Sequence, residues 1–219
     1  MDTASPIVLV MLPLGVATLL IVLIVILVRH NHKLWLKRVA ELSEDQEYDL
    51  IELWNYRFVL PRATGQTITH INAQVENRTE KRLRVLVKPG TYFVSSGGHQ
   101  NMVARSEHRF TLRARSTEKI YVPASCINAA LPIPGAQDQF HGVAKVSNDL
   151  VRFLEKARGE DDMVVQAGVW ALTDGYSKYD IQTKLVARSS SGSSRPAVSD
   201  QQVARAKRIL DELGIGNRL

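Results

Sequence analysis

The sequence contains only one cysteine, Cys126, which limits both its chemistry and its compartment. A single thiol cannot form a disulfide within the chain, and it suits a reducing environment. The sequence also lacks the G-x-S-x-G, H-E-x-x-H and phosphate-binding glycine motifs that mark common enzyme sites. We therefore expect a protein that is not an enzyme and that holds neither a cofactor nor a metal ion.

Basic residues outnumber acidic ones by six, but the excess is local. Four of the 28 Lys and Arg are Arg29, Lys33, Lys37 and Arg38, and the other 24 are nearly balanced by the 21 acidic residues that follow them. A nucleic-acid-binding protein is expected to show a basic cluster interleaved with aromatic residues. We therefore do not expect a nucleic-acid partner.

A long apolar run lies near the amino terminus. Residues 7–28 include 22 positions without a charge, enough for a helix to cross a hydrocarbon core of about 30 Å. A cleaved signal peptide would have a basic start, a shorter apolar region and a small-residue cleavage site, so we predict a transmembrane helix.

The charges beside this run predict its orientation. The predicted membrane-interface residues all follow the run, and they are Arg29, Lys33, Trp35, Lys37 and Arg38. Tryptophan favours the headgroup level, and basic residues favour the cytoplasmic side and anionic lipid. We expect a single-pass protein of a bacterial inner or plasma membrane, with its amino terminus outside and its main domain in the cytoplasm.

Alternating apolar and polar residues dominate residues 49–123. The predicted strands are 50–60, 66–76, 83–88, 91–95, 108–113 and 118–123, and turn-forming residues separate them, including a turn at 61–65. Short strands at this spacing favour an immunoglobulin-like antiparallel β-sandwich. The fold class is therefore all-β to α+β, with an N-terminal single transmembrane helix and with helices appended to the sandwich. The irregular segment 124–140 leaves open whether a ligand binds beneath it.

Helical patterns follow the β-rich region. Helices are expected to begin at Asn148, at Asp161 or Asp162, and at Ser177. After the serine-rich segment, Ser199 and Gln202 form a capping box for a helix whose apolar stripe includes Val203, Ile209, Leu210 and Leu213. Because such a helix is marginal alone, its stripe either docks on its own domain or binds in the groove of a partner.

These patterns divide the chain into five parts. They are a transmembrane anchor (1–28), a basic then acidic juxtamembrane segment (29–48), the β-sandwich with its C-terminal helices (49–188), a flexible linker (189–198) and an amphipathic helical tail (199–219).

Gln166 lies in an otherwise apolar helical segment and must find hydrogen-bond partners there. The order of a β-rich segment, Cys126 and then V-Q-A-G-V-W resembles the thioester domains of bacterial surface adhesins. The resemblance implies that Cys126 supplies the sulfur and Gln166 the acyl carbon of an internal thioester. The alternative is structural, with Gln166 bonded to the backbone of the loop that contains Cys126, Pro132 and Pro134, and with Trp170 in the core.

The expected function follows from the anchor, the sandwich and the tail. We expect a membrane-anchored binding or assembly module that presents its sandwich and its tail to a partner protein, with the lipid bilayer as its other partner and with oligomerisation left open. The alternative is a membrane-tethered domain that uses a Cys126–Gln166 thioester for covalent attachment.

Overall fold

The computed structural model describes residues 14–188 and 194–219 of the chain. The chain divides into two compact units, residues 1–42 and 43–219.

The first unit is a single apolar helix, α1 (Leu14–Ala40). The apolar side chains from Leu19 to Val28 are exposed, from 71% at Leu19 to 42% at Val25. The stretch Ala17–Ala40 is long and apolar enough to span a bilayer. The structure therefore confirms one candidate membrane-spanning helix near the amino terminus, while residues 7–13 of the predicted span lie outside the described residues.

The second unit is built around a closed antiparallel barrel of six strands. Their order is β2-β3-β8-β6-β5-β9, and β9 closes the barrel by pairing with β2. The barrel strands are β2 (Val59–Thr67), β3 (His70–Asn77), β5 (Thr91–Ser95), β6 (Asn101–Ala104), β8 (Thr117–Ile127) and β9 (Gln139–Lys145).

The predicted sandwich is not confirmed, because the barrel closes where two open sheets were expected. Two short strands that the sequence pattern did not predict, β6 and β9, complete the ring. A separate three-stranded sheet has the order β1-β4-β7, with β1 parallel to β4. Its strands are β1 (Glu47–Asp49), β4 (Leu83–Val87) and β7 (His108–Leu112).

The first predicted strand is wrong over most of its length. Leu50–Asn55 forms helix α2, which begins after Asp49, whose carboxylate accepts a hydrogen bond from the Ile51 backbone N–H at 2.8 Å. Leu50 and Leu53 are both buried, as expected for positions three apart on one helix face. Strand β2 begins only at Val59 and continues through residues 61–65, where a turn was predicted.

The helices follow the predicted capping residues closely. They are α3 (Asn148–Lys156), α4 (Asp162–Thr173), α5 (Lys178–Lys184) and α6 (Asp200–Glu212). The structure has the capping boxes that begin α5 and α6 at Ser177 and Ser199, whereas Ser147 and not Asn148 caps α3. Within the predicted linker, Ser194–Pro196 forms strand β11, which pairs with β10 (Val186–Arg188), and residues 189–193 lie outside the described part.

Helix α4 lies between the barrel and the other helices. It packs on β8 on one side and on α6 and α3 on others. Every residue from Val164 to Ala171 is buried, which explains why the segment carries almost no polar side chain. A Cβ atom added at Gly168 would lie 2.0 Å from Cζ of Phe153 on α3, so glycine lets the two helices approach closely.

We predict that Gly168→Ala destabilises the protein by about 1–3 kcal/mol or more, because the added methyl group must displace the buried ring of Phe153. The measurement is chemical denaturation followed by circular dichroism. Gly98→Ala is the matched control, since a Cβ atom there meets nothing within 4 Å. Equal unfolding free energies for the two variants would contradict the close packing of α3 on α4.

Candidate functional site

The side chain of Gln166 makes two hydrogen bonds to the main chain of Cys126. The Cys126 backbone N–H donates to Gln166 Oε1 at 2.9 Å, and Gln166 Nε2 donates to the Cys126 carbonyl at 2.7 Å. Both residues are 0% exposed. The buried amide of Gln166 therefore has a hydrogen-bond partner for its N–H and another for its oxygen, as burial requires.

This pairing lies at an edge of β8 that β3 does not cover. The β3–β8 ladder reaches its end at His70, opposite Pro123. The Ala124 backbone N–H then donates to the Thr69 carbonyl at 2.8 Å, and Cys126 is the next residue with groups on this edge. On the other edge of β8, Cys126 lies opposite Met102 of β6. The amide of Gln166 thus takes the place of a strand neighbour beyond the end of β3.

Helix α4 holds the end of β8 at a second point. At its C-terminus, the Asp174 carboxylate accepts a hydrogen bond from the Ala129 backbone N–H at 2.8 Å. Asn128, between the two fastened positions, has a φ of 68°, a conformation that asparagine tolerates better than most residues. The chain therefore leaves the barrel at a turn that α4 fixes on both sides.

The loop after β8 is held by residues other than Gln166. Cys126 lies inside β8 and not in the loop with Pro132 and Pro134, where the sequence pattern predicts it. The loop carbonyls of Leu131 and Pro132 accept hydrogen bonds from Gln100 at 2.8 and 3.0 Å. His99 Nε2 lies 3.1 Å from Asp138 Oδ1 at the far end of the loop. Gln166 therefore fastens a strand, and Gln100 fastens the loop.

The thiol of Cys126 is poorly placed for nucleophilic chemistry. Its Sγ lies 3.7 Å from the Ile68 carbonyl, and burial raises the pKa of the thiol to about 12. A thioester forms when a thiolate attacks the amide carbon and ammonia leaves, and such a thiol stays protonated near neutral pH. The structure brings Cys126 and Gln166 together, but the amide is engaged by the main chain and not by the sulfur.

A cavity of about 340 Å³ lies beside the turn between β4 and β5. Charged side chains of both signs line it, and Lys88 Nζ forms an ion pair with Asp49 at 3.0 Å. The hydroxyl of Thr91, another lining residue, is buried without a hydrogen-bond partner among the described residues. None of the lining residues comes from segment 124–140, so this cavity does not use that loop as a lid. Within residues 14–188 and 194–219, no group of three His, Cys, Asp or Glu is arranged to hold a metal ion.

The predicted membrane-interface residues lie on the last turns of α1. Arg29, Lys33, Lys37 and Arg38 are exposed there, and the His32 ring stacks on Trp35 with 6.2 Å between ring centroids. A tryptophan among basic side chains just beyond an apolar stretch matches a headgroup environment.

The apolar stripe of the tail is covered by its own domain. Val203, Ile209 and Leu210 are at most 2% exposed, and Leu213 is half-buried. Helix α6 packs on α4 and α3. Its Arg205 forms an ion pair with Glu160, which lies in the loop between α3 and α4. Of the two arrangements that the sequence allows, the structure has the stripe docked on its own domain.

No family model, curated protein or solved structure matches this chain. Its function is therefore inferred from the geometry of the chain itself.

We predict that Gln166→Ala lowers the free energy of unfolding by about 2–5 kcal/mol, because it leaves the Cys126 N–H and carbonyl buried without partners and opens a cavity. Gln166→Met keeps most of the side-chain volume but removes the hydrogen bonds. The stability that Gln166→Met loses therefore measures the hydrogen bonds, and the further loss in Gln166→Ala measures the cavity. The control is Gln201→Ala at an exposed position of α6. Thermal melting of Gln166→Ala at the wild-type temperature would show that the pairing is not required.

We predict that the intact mass of the purified protein equals the mass calculated from its sequence. Formation of a Cys126–Gln166 thioester would release one molecule of ammonia, so a mass lower by that amount would demonstrate the bond. Cys126→Ala provides the matched control, since it cannot form the bond and must show no deficit.

Proposed function

We propose that this protein is a single-pass membrane-anchored binding or assembly module. Helix α1 holds the protein at the bilayer, and the surface of the β-barrel domain contacts a partner protein. The observation that carries the proposal is the exposed apolar surface of α1, from Leu19 to Val28, in a chain that continues into a separate folded unit. Exposed apolar surface of this extent is stable only when it is buried in lipid or against protein.

The charges beside α1 support a cytoplasmic location for the folded unit. Arg29, Lys33, Lys37 and Arg38 follow the apolar stretch, and basic residues remain preferentially on the cytoplasmic side. The amino terminus would then lie outside, in a bacterial inner or plasma membrane. A free buried thiol, Cys126, is compatible with a reducing compartment.

Polar groups at the junction of the barrel and the helices favour binding over catalysis. Gln166 and Asp174 are engaged by main-chain groups, and Arg105 is engaged by Asp162 and by the Thr69 carbonyl. These contacts fasten elements to one another, whereas a catalytic group must reach a substrate.

A covalent function is the second candidate, because the structure brings Cys126 and Gln166 into direct contact. In that case the domain would use a thioester to bind a partner amine. The raised pKa of the thiol and the paired amide favour the structural role, and the intact mass separates the two.

We predict that the full-length protein resists extraction from membranes by alkaline carbonate. Replacing Leu23 and Ile24 together by arginine is expected to release it, since each charge in the middle of a spanning helix disfavours insertion by about 2.5–3.5 kcal/mol. The control is the variant in which Leu23 and Ile24 are both replaced by valine, which keeps the helix apolar. Release of the wild-type protein by carbonate would refute the anchor.

The orientation is measured in the same system, with protease added to sealed cells whose protein carries a carboxy-terminal tag. Protection of the tag is expected, because the folded unit would lie in the cytoplasm. Cleavage of the tag in intact cells would reverse the proposed orientation while leaving the anchor in place.

A further inference from the structure

One outer face of the barrel carries a row of polar side chains that crosses four strands. The register aligns Lys119 of β8 with Gln74 of β3, Gln74 with Arg62 of β2, and Arg62 with His141 of β9. The residues next to them along the strands, such as Ala73 and Phe140, are buried, so the row points outward. All four side chains of the row are exposed.

A second row lies two residues further along the strands. It aligns Tyr121, Asn72, Thr64 and Gln139 in the same strand order. Tyr121 is 47% exposed, and its ring stacks on His70 with 4.5 Å between ring centroids. The two rows together form what we call the polar face, and a groove of about 210 Å³ lies between them across β3, β2 and β9.

The polar face has cations that the protein itself does not neutralise. Among the described residues, neither Arg62 nor Lys119 has an ion-pair partner, whereas Arg82, Arg84, Arg109 and Arg115 elsewhere on the strands and turns each bond to an acidic residue or its carbonyl. Two acids lie on these four strands: Glu76, one row beyond Gln74 and opposite Leu60 and Thr117, and Glu118, which is exposed beside Lys119. Neither forms an ion pair among the described residues. The face is therefore complementary to a partner with negative charge.

The amides of the polar face match the backbone of a peptide. Gln74 and Gln139 make no side-chain hydrogen bond within the described residues, so they can donate and accept. The buried pair in this same domain shows the geometry, because one glutamine side chain satisfies both main-chain groups of Cys126. A barrel whose six strands all have two neighbours cannot bind a peptide by adding a strand, so side-chain amides must supply these bonds.

The spacing of the cations suits carboxylates on an extended chain. Lys119 and Arg62 lie on strands separated by β3, so their Cα atoms are about 10 Å apart at the usual strand spacing of about 4.8 Å. Acidic residues three apart on an extended peptide of polyproline II type are about 9 Å apart and lie on the same side of it, because that helix has three residues per turn. Nucleic acid is a poorer match, because its affinity depends on many phosphate contacts and only two unpaired cations lie on this face.

We propose that the polar face binds an extended acidic segment of the partner protein. Arg62 and Lys119 select its carboxylates, Gln74 and Gln139 bond its main chain, and the Tyr121 ring receives an apolar side chain. This inference rests on the proposed binding function and specifies the surface and the chemistry of the partner.

The test is fluorescence anisotropy with the full-length protein in detergent micelles. The probe is a labelled peptide with glutamate at every third position between serine and threonine, and the control probe has glutamine in place of glutamate. We expect the acidic probe alone to bind. Arg62→Glu should weaken its binding by about tenfold or more, equivalent to about 1.4 kcal/mol, and Arg62→Lys should retain most of it.

Arg208→Glu is the matched control, because Arg208 is also exposed but lies on α6. Arg208→Glu makes the same change in net charge as Arg62→Glu, but away from the polar face. If the polar face binds the peptide, Arg208→Glu must leave binding unchanged. Binding should also weaken as salt is raised from about 0.1 to about 1 M, since the Debye length falls from about 10 to about 3 Å. Arg62 is exposed and has no ion-pair partner among the described residues, so wild-type melting of Arg62→Glu is expected and confirms that the variant folds.

Four results would overturn the inference: no binding of the acidic probe, equal binding of both probes, equal weakening by Arg62→Glu and Arg208→Glu, or displacement of the peptide by a single-stranded oligonucleotide of equal charge at an equal concentration. A separate crosslinking experiment in cells tests the proposed function. Recovery of the same crosslinked partner at equal yield from wild type and Arg62→Glu would retain the binding function and reject this surface. If no crosslinked partner is recovered with either wild type or Arg62→Glu, the binding function itself is rejected.

Discussion

The pairing of the Gln166 amide with the Cys126 main chain connects the two layers of the folded unit. It continues the edge of β8 where β3 has ended, and it does so from a helix that is buried along almost its whole length. Because α3 and α6 pack on α4, the helical layer is attached to the barrel largely through this helix. The constraint also explains the composition of the segment. Glutamine is long enough to reach the strand and offers both a donor and an acceptor at its end.

The barrel and the helices bury different kinds of groups. The barrel closes on itself, so each of its strands has a neighbour on both sides and exposes side chains instead of main-chain edges. The helices cover the stretch of β8 that extends beyond the end of β3. Any molecule that binds such a surface must therefore be recognised through its side chains and not through an added strand.

Helix caps and single strands were predictable from the sequence, whereas the closure of the strands into a barrel was not. The capping boxes at Ser177 and Ser199 depend on residues three apart, and the bounds of β5 depend on a short run of aromatic and β-branched residues; both signals are local. The need of Gln166 for partners was also evident, but their position depends on where β3 ends, which no local pattern encodes.

Two errors have physical causes that can be named. Leu50–Asn55 is apolar enough to fit a strand over six residues, and the deciding feature is the Asp49 carboxylate that caps it as a helix. Strand β9 contains Gly142 with a φ of 96°, beneath the Trp54 ring, and a glycine inside a weakly alternating segment gives no strand signal. Without β9 there is no means of linking β2 to β5, so an open sandwich was the natural expectation.

The first element of the folded unit after α1 is the short strand β1, which joins the three-stranded sheet at its edge. Strand β1 has three residues, pairs in parallel with β4 alone, and is supported by the ion pair between Glu47 and Arg109. If the chain is pulled through α1, the load reaches these few bonds before it reaches the barrel. The protein would therefore yield mechanically at β1 while its barrel stayed intact, so that the chain would lengthen under tension without disturbing the proposed binding surface.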